Sequence, residues 1–128
     1  MLIASKKANE LLTEIWDGSI PVNPIKIANS LNINVYKSHE IDSLIECSVE
    51  DVEKSITIKP NESITSKIFY VAHSLGHLLL GHINDTLGTI KDQKYSFSSG
   101  AKSIEKEAKK FALTLLMPAN HLKKQRFK

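Results

Sequence analysis

The stretch VAHSLGHLLLGH, residues 71–82, places two histidines four positions apart in an apolar run. Apolar residues recur at helical spacing from Ile64 to Leu80, so the run is predicted to lie on a helix. On a helix, His73 and His77 are about 40° of rotation and one turn apart, which lets both imidazoles face one tetrahedral metal ion. With 5 histidines in 128 residues such a pair also arises by chance, so HxxxH alone is weak support for a metal site.

A third ligand can come from the last long helix, predicted over residues 104–116 from its apolar periodicity. Glu105 flanks the apolar stripe of this helix, and a carboxylate beside a core must be paired or bound to a metal. Ala108 on the same line and Gly76 between the histidines would let the two helices approach closely. Glu107 lies about 200° further round and is expected to face water. Two histidines and one glutamate with an open fourth position form the ligand set of a hydrolytic zinc site.

The rest of the chain predicts an α+β fold in a single domain spanning residues 1–128. Two further helices are expected, at residues 5–16 and 24–31, and Asn23 is the expected N-cap of the second. Short alternating runs rich in β-branched residues predict three strands, at residues 33–36, 44–49 and 55–59. Residues 81–100 are polar and have no sustained period, so a long loop is expected there.

Composition narrows the class of protein. The net charge of +3 gathers in a basic tail, residues 119–128, which we interpret as a solvated end. Direct nucleic-acid binding is disfavoured because no helix-turn-helix with a basic recognition face is visible. The single cysteine, Cys47, is expected to be buried in a strand. Because one cysteine cannot form an internal disulfide, a reducing compartment, the cytoplasm, is favoured. No signal-peptide pattern or apolar run of about 18 residues is present, so no membrane association is expected.

Two longer segments carry a family resemblance. The segments FYVAHSLGHLLLGH, residues 69–82, and IEKEAKKFALTLLMP, residues 104–118, resemble the ImmA/IrrE family of zinc metallopeptidases. The signature of that family is a HELGHLLLHH-like helix followed by an ExxA(N/D)xFAxxLLMP helix. The earlier segment PVNPIKIANSLNINVY, residues 21–36, is similar to the one that precedes the sheet in those proteins.

The resemblance implies a zincin-like fold, a small helical bundle whose HxxxH helix packs on a short three-stranded antiparallel sheet. It also implies that His73, His77 and Glu105 are zinc ligands. Members of the family typically cleave a helix-turn-helix repressor encoded nearby, which releases genes of mobile elements such as phages or of stress responses. The expected partner is therefore a repressor-type regulator.

The sequence departs from the family pattern at two positions. Where active members carry a glutamate that accepts and shuttles a proton, this chain has Ser74, and loss of such a base typically costs about two to four orders of magnitude in rate. Four residues after Glu105, where the family usually has Asn or Asp, stands Lys109. Residues that hydrogen-bond to the metal ligands tune metal affinity, so Lys109 at this position is expected to affect zinc occupancy.

No substitute for the missing base is evident from spacing. Glu46, Glu62 and His82 remain candidates, although nothing places them beside the metal site. We expect the ring of His82 to cap the C-terminus of its helix, and a role as fourth ligand is the alternative. His39 and His121 are expected to be surface residues.

Three functions remain open at this point. The first is a relative with weakened or lost peptidase activity that keeps the fold, with or without bound zinc, and binds a regulator. The second is an active zinc endopeptidase that uses an unrecognised base. The third is a metal-free interaction domain, in which the two histidines are a buried pair and Glu105 is their hydrogen-bond acceptor.

Overall fold

The computed structural model describes residues 2–16, 18, 22–40, 45–50, 53–60, 63–82, 89–92 and 102–117. Its helices and strands follow in chain order: α1 (Leu2–Ile15), α2 (Pro24–Ser30), β1 (Asn34–Lys37), β2 (Ile45–Glu50), β3 (Glu53–Ile58), α3 (Ile64–Leu79), β4 (Thr89–Asp92) and α4 (Lys102–Leu116). The predicted α+β class is confirmed, and the basic tail lies outside the described residues. Within these ranges, no helix has both the length and the apolar character needed to cross a bilayer.

Side-chain caps explain where two of the helices begin. The Asn23 side chain accepts hydrogen bonds from the backbone N–H groups of Ile25 and Lys26, at 3.0 and 3.3 Å, so Asn23 is the predicted N-cap of α2. Ser63 does the same for α3, where its hydroxyl accepts from the Ser66 N–H at 3.2 Å. The cap fixes the start of the helix that carries both histidines.

The sheet is mixed, and its strand order is β1-β3-β2-β4. β2 pairs antiparallel with β3 and β4, whereas β1 pairs parallel with β3. The prediction of a purely antiparallel sheet is therefore wrong, because β3 lies between β1 and β2 and chain order alone does not fix spatial order. The sheet also contains a fourth strand, β4, which lies within residues 81–100, the stretch predicted as a loop. Its four residues, Thr89–Asp92, are too few to show a period in the sequence.

Helix α3 lies at the centre of the fold, in contact with α2, α4, β2 and β3. All eight residues from 71 to 78 are buried, so this part of the helix is covered on every side. The sheet covers it with Ile45, Cys47, Ile56 and Ile58, which are at most 1% exposed. Burial of Cys47 in a strand confirms that prediction. The two histidines therefore lie in the interior, where polar groups need partners.

Helices α3 and α4 touch through their backbones at Gly76. A methyl group on this glycine would lie 3.1 Å from the Cα and carbonyl oxygen of Ala108 and 3.2 Å from the Cβ of Phe111. The expectation that Gly76 and Ala108 allow a close approach is confirmed. This contact lies between the two histidines in sequence, so it sets the distance from their rings to α4.

Gly76→Ala is expected to lower the free energy of unfolding by about 1–3 kcal/mol, since the methyl must displace backbone rather than a movable side-chain tip. Urea unfolding followed by circular dichroism measures the change. Thr65→Ala, at an exposed position of the same helix, is the matched control and should stay within about 0.5 kcal/mol of the parent. A gain in stability from Gly76→Ala would show that helix propensity outweighs the contact.

Candidate metal centre

The structure brings together the three residues that the sequence predicted as ligands. The Nε2 atom of His73 lies 3.1 Å from one carboxylate oxygen of Glu105, and the Nε2 atom of His77 lies 3.0 Å from the other. The three ligand atoms all lie within 4.8 Å of one another. No other trio of His, Cys, Asp or Glu side chains meets in this way among the residues that the structure describes.

Ring packing holds the two imidazoles in place. His73 and His77 project from successive turns of α3 and stack with centroids 4.9 Å apart and planes 26° apart. Phe69, one turn earlier, meets the ring of His73 edge-on at 5.8 Å. The row of rings along one line of the helix leaves each imidazole little freedom to turn.

His73, His77 and Glu105 could hold a metal ion. Both Nε2 atoms are buried, and neither has a hydrogen-bond partner among the described residues. Their contacts with Glu105 are short, yet the ring N–H bonds do not point at the oxygens as hydrogen bonds require. Two ligand atoms about 2.1 Å from a tetrahedral zinc ion lie about 3.4 Å apart. The 3.1 and 3.0 Å between the imidazole nitrogens and the carboxylate oxygens are near this value, and all three ligand atoms lie within 4.8 Å of one another. The two nitrogens and the carboxylate therefore fit zinc.

Charge and exposure suit the same role. Burial on its own would raise the pKa of Glu105, but contacts with the His73 and His77 side chains outweigh it and lower that pKa to about 2. The carboxylate is therefore an anion at neutral pH. The Glu105 side chain is 30% exposed while that of His77 is fully buried, so the cluster is open to solvent on the side of α4.

Ser74, at the position of the expected base, is fully buried next to His73. Its hydroxyl has no hydrogen-bond partner among the described residues. A hydroxyl without a neighbouring proton acceptor is not activated as a nucleophile, and it does not accept protons near neutral pH. Ser74 thus supplies neither kind of catalytic group.

The sequence did not predict the contacts that His82 and Glu107 make beside the cluster. The Nδ1 atom of His82 lies 3.0 Å from Nδ1 of His77, and its Nε2 atom lies 2.7 Å from a carboxylate oxygen of Glu107. Both ring nitrogens of His82 are engaged, so the predicted helix cap by this ring is wrong. The alternative of a fourth ligand fails as well, because His82 faces the nitrogen of His77 that points away from the cluster.

The end of α3 explains where His82 lies. Gly81 has a φ of +74°, and the His82 N–H donates to the His77 carbonyl oxygen at 3.0 Å. These are features of a Schellman motif, in which the chain reverses direction at the end of a helix. The motif places the residue after the glycine, His82, next to the residue five positions earlier, His77. The Leu-Gly-His sequence at positions 80–82 is the signal that could have predicted this contact.

The position of Glu107 follows from helix geometry. The buried stripe of α4 lies between Glu105 and Glu107, about 70° from the first and about 90° from the second. Both carboxylates therefore border α3, on opposite flanks of the stripe. The prediction that Glu107 faces water holds only in part, since its side chain is 39% exposed but pairs with His82. Burial lowers the pKa of His82, although the hydrogen bond to Glu107 opposes this.

The other predicted residues lie away from the cluster. His39 and Lys109 are exposed, and the surface position predicted for His39 is confirmed. Glu46 lies on β2 and does not belong to the cluster. Glu62 and His121 lie outside the described residues.

Acid should remove the stabilisation that ionised Glu105 provides in the metal-free protein. Because its pKa falls from 4.5 to about 2 on folding, that contribution is complete above pH 4.5 and is lost as the pH falls towards about 2. Urea unfolding in the presence of chelator should show the stability difference between the parent and Glu105→Gln shrinking between about pH 5 and about pH 3. A difference independent of pH would contradict the lowered pKa.

Comparison with known proteins places the chain in a family. No curated protein sequence gives a significant match. The family model of the M78 peptidases, described as the IrrE N-terminal-like domain, matches residues 27–128. That range contains the two histidines of α3 and the glutamate of α4 that form the cluster. The chain therefore belongs to the M78 peptidase family, as a protein with an IrrE N-terminal-like domain.

Proposed function

We propose that this protein binds zinc through His73, His77 and Glu105 and binds a helix-turn-helix repressor-type regulator, while its peptidase activity is weak or lost because Ser74 replaces the general base. The observation that carries this proposal is the convergence of two buried, unpartnered imidazole nitrogens on an ionised carboxylate. Its metal-binding part and its catalytic part rest on different residues.

The metal-binding part rests on the cost of the arrangement. Two imidazole nitrogens that lie buried beside a carboxylate without well-directed hydrogen bonds each forfeit part of the roughly 1–3 kcal/mol that an unmade hydrogen bond costs. A zinc ion bound by the two nitrogens and by Glu105 removes this penalty, and its positive charge attracts the negative carboxylate. The metal-free alternative relies on hydrogen bonds from both histidines to Glu105, and the ring directions at these 3.0 and 3.1 Å contacts favour a shared ion over that alternative.

The catalytic part rests on a missing proton acceptor. Zinc held here would supply Lewis-acid chemistry to a peptide carbonyl or to a water molecule. The chain must still take a proton from the attacking water and pass it to the leaving amine. Ser74 cannot do so near neutral pH, and the described residues place no other carboxylate in the cluster with Glu105.

The partner class is carried over from the family resemblance. Members of the ImmA/IrrE family typically act on a helix-turn-helix repressor, and a relative that has lost the base can retain the docking surface for that protein. We place the protein in the cytoplasm, where such a regulator works, and the single cysteine supports a reducing compartment.

Zinc binding is the first prediction of this proposal. The purified protein should bind one zinc ion, measured by competition with a chromogenic chelator. His77→Ala and Glu105→Ala each remove a ligand and should weaken zinc binding by more than roughly 10- to 100-fold, the usual cost of losing a residue that only hydrogen-bonds to a ligand. His39→Ala removes an exposed histidine and is the matched control. Absence of zinc binding by the parent would refute the metal site and favour the metal-free interaction domain.

Cleavage is the second prediction. Incubated with the repressor encoded beside its gene, the zinc-loaded protein should bind the repressor and cleave it slowly or not at all. Ser74→Glu should raise the cleavage rate by about two to four orders of magnitude, because it restores a group that accepts protons. Gel electrophoresis with and without chelator measures both outcomes.

Ser74→Gln is the matched control for this gain, since glutamine has the size of glutamate without its basicity. Equal activity of the glutamate and glutamine variants would argue against a restored base. Rapid zinc-dependent cleavage by the parent protein would instead establish the active endopeptidase and require an unrecognised base.

A further inference from the structure

His77, His82 and Glu107 form a continuous row of hydrogen bonds behind the proposed metal site. The first bond joins the Nδ1 atoms of the two histidines at 3.0 Å, and the second joins His82 Nε2 to the Glu107 carboxylate at 2.7 Å. The side chain of His82 is only 6% exposed. Water therefore competes little for the ring nitrogens of His82, and sheltered hydrogen bonds are stronger than exposed ones. The Glu107 end of the row is more open, with 39% of that side chain exposed.

A lone pair on His77 Nε2 fixes every proton in the row. If that nitrogen is free to bind a metal, the single proton of the neutral ring lies on Nδ1, which then donates to His82. Nδ1 of His82 must accept, so the proton of His82 lies on Nε2 and points at Glu107. A carboxylate is an acceptor, and the row closes with one donor and one acceptor in each bond.

We infer that His82 and Glu107 are positioning residues of the metal centre, which hold His77 in the tautomer and ring orientation that present Nε2 to the ion. The inference rests on the proposed zinc site. A metal-binding histidine whose other nitrogen donates to an acceptor is a stronger ligand, and loss of the acceptor commonly costs about 10- to 100-fold in metal affinity.

The two proposed histidine ligands differ in this respect. Among the described residues, Nδ1 of His73 has no such acceptor, and ring contacts with Phe69 and His77 orient it instead. The row also spans two helices, because His82 follows the end of α3 and Glu107 belongs to α4. Pinning the helices together is thus the competing, purely structural role, and the test must separate it from tautomer control.

The test measures zinc affinity by chelator competition in the parent protein and in matched variants. His82→Ala should raise the Kd for zinc about 10- to 100-fold, and Glu107→Ala should raise it by a smaller factor. His82→Asn should recover part of the loss, since its side-chain oxygen can accept from His77 Nδ1 but passes nothing to Glu107. His39→Ala and Glu14→Ala change exposed residues elsewhere and serve as controls.

A second measurement reports the tautomers directly. Long-range nitrogen-15 NMR spectra of the zinc-loaded protein should show His77 protonated on Nδ1 and His82 protonated on Nε2. In His82→Ala, circular dichroism confirms folding before the affinity is compared. Glu107 is partly exposed, so its variants test the same row with little risk to the fold.

The outcomes are distinct. Failure of the parent to bind zinc removes the proposed function and this inference together. Zinc binding by the parent, with His82→Ala and Glu107→Ala within about twofold of it, overturns the inference alone. A proton on Nδ1 of His82 in the loaded protein also overturns it, as does an Asn variant no better than the Ala variant.

Discussion

The backbone contact between Gly76 and Ala108 is the constraint on which the site depends. Helices α3 and α4 are so close at Gly76 that an added methyl group would crowd Ala108. At this spacing the Glu105 side chain reaches both imidazoles. A wider helix spacing would leave a buried histidine pair facing an exposed carboxylate. Position 76 thus links the packing of the core to the chemistry of the cluster.

Burial of the polar atoms makes this cluster costly in free energy and suits it to the zinc binding that we propose. His73, His77 and Ser74 are the buried polar side chains of the described core. The Nε2 atoms of both histidines and the Ser74 hydroxyl have no hydrogen-bond partner among the described residues. Natural cores rarely keep such groups without a reason. Zinc binding would couple to folding here, since an ion that binds only the folded chain stabilises it. Ser74 would gain nothing from the ion, and its hydroxyl has no hydrogen-bond partner in the part of the chain that the structure describes.

Local rules carried the sequence predictions that were confirmed. The i, i+4 spacing placed both histidines on one helix face, and the flank of the apolar stripe selected Glu105. The errors arose where contacts between distant segments decide. The parallel pairing of β1 with β3 and the short β4 depend on spatial order. The angle between Glu105 and Glu107 on α4 predicts that Glu107 points away from the cluster. It does not show that both flanks of the buried stripe of α4 border α3.

The central claim is that two imidazoles and one carboxylate share an ion, and zinc X-ray absorption tests it most directly. With one equivalent of zinc bound, the spectrum should show two imidazole nitrogens and a carboxylate oxygen at about 2.0–2.2 Å. A sulfur ligand at about 2.3 Å would mean that Cys47 binds the metal, and a shell of water oxygens alone would mean adventitious binding. Either result would contradict the account.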